Sequence, residues 1–322
     1  MKHSSYPRTD KYPFLNPEIS INSGQMFLWE KYNNSWYGTY GEYILKLSNL
    51  SQTSYIIDNR LDIKKSEENI EFVSFPEVKS WERHVFRLDD DIEKIFSSFS
   101  HDALVSESIS KYPGLRLMRQ EPYQCMISFV CASNTNIFMI RRMLKNLSRK
   151  YGNKVIIDGR EFFTFPCADR LNKATDPELR MCGLGYRSKS VKAVTEAIVN
   201  GNIDVKHLLS MNYDDAKQDL LKVYGIGNKV ADCILLFSLE KLNAFPIDVW
   251  IARVLYRHYS WLFSKYEKKG RQRKRTELTD AKITFNKYRI LSKNLRNYFG
   301  EYCGYAQQYL FYNMRQTAGK KW

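Results

Sequence analysis

Lys229 and Asp248 are the residues of this 322-residue chain whose types and surroundings point most directly to chemistry. Lys229 follows Gly225-Ile226-Gly227-Asn228 and opens the run Lys229-Val230-Ala231-Asp232-Cys233. This places it in the first turn of a helix beginning at Asn228. The positive end of a helix dipole disfavours an ammonium ion, and burial pushes the same way. Both favour the free amine, a nucleophile able to form a Schiff base. A phosphate-binding lysine is the alternative reading of the same position. Asp248 comes nineteen residues later, in Phe245-Pro246-Ile247-Asp248-Val249-Trp250. It can N-cap the helix that follows. At the mouth of a cleft such an aspartate is expected to stay ionised, to take a proton from Lys229 and to stabilise positive charge developing on a sugar. A cap and nothing more is the alternative.

The elements that must position these two are legible around them. In Leu220–Leu239 one helix ends, Gly225-Ile226-Gly227 turns the chain, and a second helix starts, giving a hairpin over about 214–239. Glycine tolerates positive φ and lets another backbone come close. The unpaired amides at the turn and at the new helix's start can hold a DNA phosphate. A plain helical hairpin with glycine at its turn fits the same pattern. Upstream, Gln25–Trp29, Ser35–Tyr40, Tyr43–Leu47, Ser54–Ile57 and Asn69–Phe75 are short aromatic or β-branched runs divided by turn residues, which predicts an antiparallel sheet. Near Asp89 the period changes to 3.6. Ile92, Ile95, Phe96 and Phe99 share a helical face, with Asp89 to Asp91 supplying an N-cap and favourable charge. Further stripes are Ile140, Leu144 and Leu147 closed by Gly152, Val191, Val194 and Ile198 closed by Gly201, and Ala216, Leu220 and Tyr224 closed by Gly225.

Composition narrows the class. Lys and Arg number 50 against 35 Asp and Glu, a net charge of +15 that suggests a polyanionic partner such as nucleic acid. The bland alternative is a solvated basic surface. The six cysteines form no C-x-x-C pair and resemble neither a zinc nor an iron–sulfur ligand set, so neither a metal nor a cofactor is expected. No apolar run is long enough to span a bilayer and no signal peptide is evident, so an intracellular, monomeric protein with reduced thiols is expected, without a membrane role. The basic run Lys268–Arg275 reads as an exposed loop.

Taken together, G-x-G-x-Lys-x-Ala-Asp followed by Pro-x-Asp resembles the helix-hairpin-helix (HhH-GPD) DNA glycosylase superfamily, and within it the 8-oxoguanine DNA glycosylase/AP lyase family. Gly24-Gln25-Met26-Phe27-Leu28-Trp29, Cys131-Ala132-Ser133-Asn134-Thr135-Asn136, Gly183-Leu184-Gly185-Tyr186-Arg187 and Gly304-Tyr305-Ala306-Gln307 with Phe311 fit in the same order. The resemblance runs from Gly24 to Gln316. It implies an α+β fold: an N-terminal antiparallel-sheet domain over 1–98, then a mainly helical two-lobed glycosylase core over 99–322. It also implies a bifunctional enzyme acting on double-stranded DNA that holds 8-oxoguanine opposite cytosine; the alternatives are the same chemistry on another oxidised purine of the formamidopyrimidine type, or a non-catalytic helix-hairpin-helix DNA-binding protein. The lysine matching Lys229 attacks C1′ and the aspartate matching Asp248 assists. The base pocket maps onto Gly24, Cys233, Gln307 and Phe311. Cys233 and Phe311 sandwich the purine, Gln307 reads its Watson–Crick edge, and the Gly24 carbonyl accepts from the N7–H that distinguishes the lesion from guanine. Asn134, Tyr186 and Arg187 fill the gap and meet the orphaned cytosine, while Gly225 and Gly227 form the phosphate-binding turn. Two residues depart from the family pattern. Met139 replaces a common arginine that helps select cytosine, and Trp250 replaces a common histidine that contacts a phosphate.

Overall fold

The computed structural model describes residues 15–48, 71–262 and 284–319. Helix α1 (Pro17–Ile21) leads into strands β1 (Trp29–Tyr32), β2 (Ser35–Tyr40), β3 (Tyr43–Ser48) and β4 (Glu71–Phe75). They form an antiparallel meander in the order β1-β2-β3-β4, with Trp29 opposite Gly38 and Trp36 opposite Leu47. The inward face packs Trp29, Trp36, Leu45 and Leu47 against Trp81, Val85 and Phe86 of helix α2 (Trp81–Val85) and its end. The aromatic and β-branched content that marks these strands is thus also what fills this first core.

Among the described residues the rest of the chain is helical apart from one hairpin. Helices α3 (Ile92–Ser97), α4 (Ala103–Lys111), α5 (Pro122–Cys131) and α6 (Ile137–Tyr151) precede strands β5 (Lys154–Ile157) and β6 (Arg160–Phe163). Then follow α7 (Ala168–Asn172), α8 (Asp176–Met181), α9 (Arg187–Val199), α10 (Val205–Ser210), α11 (Tyr213–Leu221), α12 (Asn228–Ser238) and α13 (Val249–His258). The last two are α14 (Phe285–Phe299) and α15 (Cys303–Thr317). Their apolar faces share one large core. Helix α12 is its centre: every residue of α12 except Lys229 is buried.

Several sequence expectations change in the structure. Gln25–Trp29 is not a strand, since β1 starts only at Trp29. The preceding residues straddle the two cores, Met26 and Trp29 entering the sheet core while Phe27 and Leu28 enter the helical one. Of the three aspartates, only Asp91 caps α3, accepting from Lys94 N at 3.1 Å. Asp89 instead forms a bidentate pair with Arg119, and Asp90 pairs with Arg87. Phe99 lies past the end of α3, although it is fully buried. Tyr224 likewise lies beyond α11 and is exposed. Gly152 ends α6 with an ordinary negative φ, so a left-handed cap is not its reason. A Cβ there would sit 1.9 Å from the Thr164 carbonyl oxygen. Gly201 does adopt the expected left-handed turn, with φ +73. Ser54–Ile57 and Lys268–Arg275 lie outside the described residues.

Candidate active site

The hairpin is built as its sequence requires. Helix α11 ends at Leu221, and Gly225 turns the chain with φ +94. A Cβ on Gly225 would meet the Ser190 side chain of α9 at 2.3 Å, so both conformation and close approach call for glycine. Gly227 is the N-cap of α12 and has no side chain to cap it, so the first amides of α12 stay open to a ligand. A Cβ on Gly227 would meet nothing within 4 Å, consistent with an open outer face.

Lys229 stands in the first turn of α12, half-buried, with Nζ 4.9 Å from the centroid of the Phe129 ring of α5. Phe129 is fixed by stacking on Phe237 at 5.5 Å and by an edge contact with Phe27 at 5.7 Å. Lys229 also hydrogen-bonds Cys233 one turn later, and burial pushes the Cys233 thiol up to about 12. Cys233 is therefore a neutral thiol beside the amine.

Asp248 caps α13. Its Oδ1 accepts from Trp250 N at 2.9 Å and Ile251 N at 2.8 Å. Burial raises its carboxyl above the usual carboxylate range; the Ile251 and Trp250 amides, Lys229 and Arg315 pull it back down. The expectation of a simply ionised aspartate is thereby modified: ionisation here depends on neighbours. The loop before it is held from two sides. Tyr288 Oη accepts from Ile247 N at 3.1 Å and donates to Asp232 Oδ2 at 2.7 Å. Gln307 Nε2 donates to the Pro246 carbonyl at 3.2 Å.

Helix α15 closes the site. Gln307 is buried, and its Oε1 has no hydrogen-bond partner among the described residues. The Pro246 carbonyl can only accept, which fixes the amide with nitrogen toward Pro246 and oxygen free. Gln308 Nε2 donates to Ser23 O at 2.9 Å and so ties α15 to the turn at Gly24, whose φ is +92. Gln120 Nε2 takes the Gln25 carbonyl at 2.8 Å. Phe311 lies one turn after Gln307 and is buried. The structure thus gathers Lys229, Cys233, Asp248, Gln307 and Phe311 onto α12, the loop from α12 to α13, and α15, with Gly24 tied in through Gln308.

Asn134, Tyr186 and Arg187 form a second group at the far end of α5, a few residues after Phe129. Asn134 is exposed with a left-handed φ of +50. Arg187 holds that turn, donating from Nε to Ser133 O at 3.0 Å and from Nη2 to Asn134 O at 3.1 Å. Its guanidinium also lies 4.5 Å from the Tyr186 ring, and Tyr186 is largely exposed. Met139 is half-buried in the first turn of α6. Sequence reasoning missed Gln308, Tyr288, Asp232 and Arg315. Asp232 stood within the Lys-x-Ala-Asp motif, and the other three carried no local signal. Among the described residues no His, Cys, Asp or Glu cluster could hold a metal, and no helix is long and apolar enough to cross a membrane. A cavity of about 250 Å3 lined by Tyr40, Tyr123 and Phe165 lies apart from these groups.

Residues 9–126 match the 8-oxoguanine DNA glycosylase N-terminal domain, and residues 127–279 match the HhH-GPD superfamily of base excision DNA repair proteins. An N-glycosylase/DNA lyase of Saccharomyces cerevisiae is 30% identical over 318 residues, covering 90% of this chain and 81% of the yeast protein. A probable N-glycosylase/DNA lyase of Methanothermobacter thermautotrophicus is 31% identical over 254 residues, covering 73% of this chain and 74% of its own length. The structure is similar to that of a Clostridium acetobutylicum 8-oxoguanine glycosylase/lyase in complex with double-stranded DNA containing cytosine opposite 8-oxoguanine. The TM-score is 0.75 at 28% identity, over 94% of this chain and 93% of that one. The chain belongs to the 8-oxoguanine DNA glycosylase family of the HhH-GPD superfamily, the DNA glycosylase/lyases of base excision repair.

Proposed function

We propose that this enzyme extrudes 8-oxoguanine from duplex DNA, removes it by attack of Lys229 on C1′, and nicks the strand through the resulting Schiff base. The neutral Lys229 amine donates its electron pair to C1′ as the C1′–N9 bond breaks, and the bonding pair leaves with the base. Asp248 stabilises the positive charge on the sugar and accepts the proton the lysine nitrogen sheds. Opening of the sugar ring gives the imine. Loss of a C2′ proton then expels the 3′ phosphate.

The observation that carries the choice of base is the free Oε1 of Gln307. A buried acceptor without a partner is costly, about 1–3 kcal/mol, and a bound base with N–H donors on the facing edge removes that cost. The Watson–Crick edge of a guanine-type base offers two such donors, N1–H and the N2 amine. Gly24 supports the same reading. The carbonyls of Ser23 and Gln25 are taken by Gln308 and Gln120, and the carbonyl of Gly24, which has no hydrogen-bond partner among the described residues, would accept from the lesion's N7–H. The hairpin at Gly225 and Gly227 would hold a phosphate, with Asn134, Tyr186 and Arg187 entering the vacated stack and meeting the opposite cytosine. Holding the base outside the helix offsets roughly a few kcal/mol of lost stacking.

A comparison of 8-oxoguanine with 8-oxoadenine, each opposite cytosine, tests this. Both carry N7–H, but 8-oxoadenine presents an acceptor at N1 and has no N2 amine. The expected result is at least about tenfold faster excision of 8-oxoguanine. Equal rates would remove Gln307 from base selection.

A further inference from the structure

Arg315 lies in the last turn of α15 and is only 9% exposed. Its guanidinium is 5.7 Å from the centroid of the Phe311 ring, one turn earlier on the same helix, and 5.6 Å from that of Trp250 on α13. Trp250 is coupled to Asp248, because its backbone N–H donates to Asp248 Oδ1. A second guanidinium, Arg253, lies 4.8 Å from the Trp250 ring. The indole therefore joins the aspartate's cap to the helix that carries Phe311.

We propose that Arg315 is a positioning residue for the reaction: packed on Trp250 and Phe311, it ties the Asp248 cap to the wall of the base pocket and supplies the fixed positive charge facing the Asp248 carboxylate. The proposal rests on the assisting role of Asp248 given above. Four groups act on that carboxylate: the amides of Trp250 and Ile251 from α13, Lys229 from α12, and Arg315 from α15. Cys233, also on α12, stays a neutral thiol. The dependence is mutual, since Asp248 opposes the fall that burial imposes on Arg315. Lys229 must be neutral to attack, and at that moment its charge no longer faces Asp248. A guanidinium keeps its charge throughout. Arg315 is therefore a cation whose pull on the Asp248 carboxyl persists when Lys229 is neutral.

The test measures single-turnover excision of 8-oxoguanine from pH 5.5 to 9 for wild type, Arg315→Met and Arg315→Lys, each also in an Asp248→Asn background. Loss of the facing charge raises the Asp248 carboxyl, so the acid limb of the profile moves to higher pH. Arg315→Met is expected to lose about tenfold at pH 6 and to recover most of that by pH 8.5. Arg315→Lys keeps the wild-type profile, and it remains informative if the methionine variant does not fold. In Asp248→Asn the pH-dependent part of the loss disappears. An equal loss at every pH, or the same pH-dependent loss without Asp248, overturns the proposal. So does weaker, more salt-sensitive DNA binding with an unmoved profile, which marks a phosphate contact. An Asp248→Asn enzyme with the full wild-type rate is a different failure, because it removes the assisting role of Asp248 itself.

Discussion

The carboxyl of Asp248 is pulled in two directions, and the sign of its effect on stability follows. Burial raises it above its unfolded range, so ionising it costs the folded protein free energy. That cost is absent below the unfolded carboxylate's range and fully present once the pH exceeds the folded value. Asparagine keeps the cap acceptor for Trp250 N and Ile251 N but carries no charge. Asp248→Asn is therefore expected to melt at or above the wild-type temperature at pH 7, while excision falls by about 10²–10⁴-fold. A calorimetric scan beside a single-turnover assay checks both halves; a clear drop in melting temperature would contradict the burial argument. The placement of Lys229 and Asp248 was legible because its signals are local: a lysine just after a glycine turn, and an aspartate just before a helix. Arg315 was not. Its partners Trp250 and Asp248 are distant in sequence, and a lone arginine near a chain end reads as a solvated charge.

At the level of the hairpin, the two glycines have different reasons, and substitution separates them. Gly225→Ala meets both a φ of +94 and the Ser190 side chain at 2.3 Å, and should cost about 2–4 kcal/mol in chemical denaturation. Gly227→Ala has a negative φ and open space, and should cost about 0.5 kcal/mol while still weakening DNA binding. Beneath the hairpin, Asp232 is fully buried. It pairs with Lys217 at 2.8 Å and accepts from Tyr213 Oη at 2.6 Å and Tyr288 Oη at 2.7 Å. Asp232→Asn leaves Lys217 as an uncompensated buried charge and should destabilise by about 3–5 kcal/mol, read from urea unfolding. Strand ends and helix starts were readable from β2, β3 and the Asn228 start of α12, where pattern and burial agree. The reading failed where tertiary contact overrides pattern. Gln25–Trp29 has the aromatic, apolar content of a strand but divides between two cores, and Tyr224 keeps helical spacing past the end of α11. The Asp232 network was invisible for a related reason, since Tyr213, Lys217 and Tyr288 look like ordinary surface residues until α11, α12 and α14 pack together.

Across the whole molecule, a net charge of +15 sets how DNA is held. A protein neutralising about six phosphates loses roughly a thousandfold in affinity between 50 and 200 mM salt. Binding of an undamaged duplex followed by fluorescence anisotropy should show such a fall; an affinity that does not change with salt would contradict a phosphate-based grip. The α+β division and the helical body were legible because period-two and period-3.6 patterns occupy different parts of the chain. How α15 reaches back to both the Gly24 turn and the Asp248 loop was not, because Gln307 and Gln308 declare no partner in sequence. The central claim is that Lys229 attacks the sugar. Its most direct test is borohydride trapping on a duplex with one 8-oxoguanine opposite cytosine, with Lys229→Gln run beside the wild type. The account predicts a covalent protein–DNA adduct from the wild type alone, with the variant still binding the duplex. An adduct that persists in Lys229→Gln, or none from a wild type that still excises the base, would contradict it.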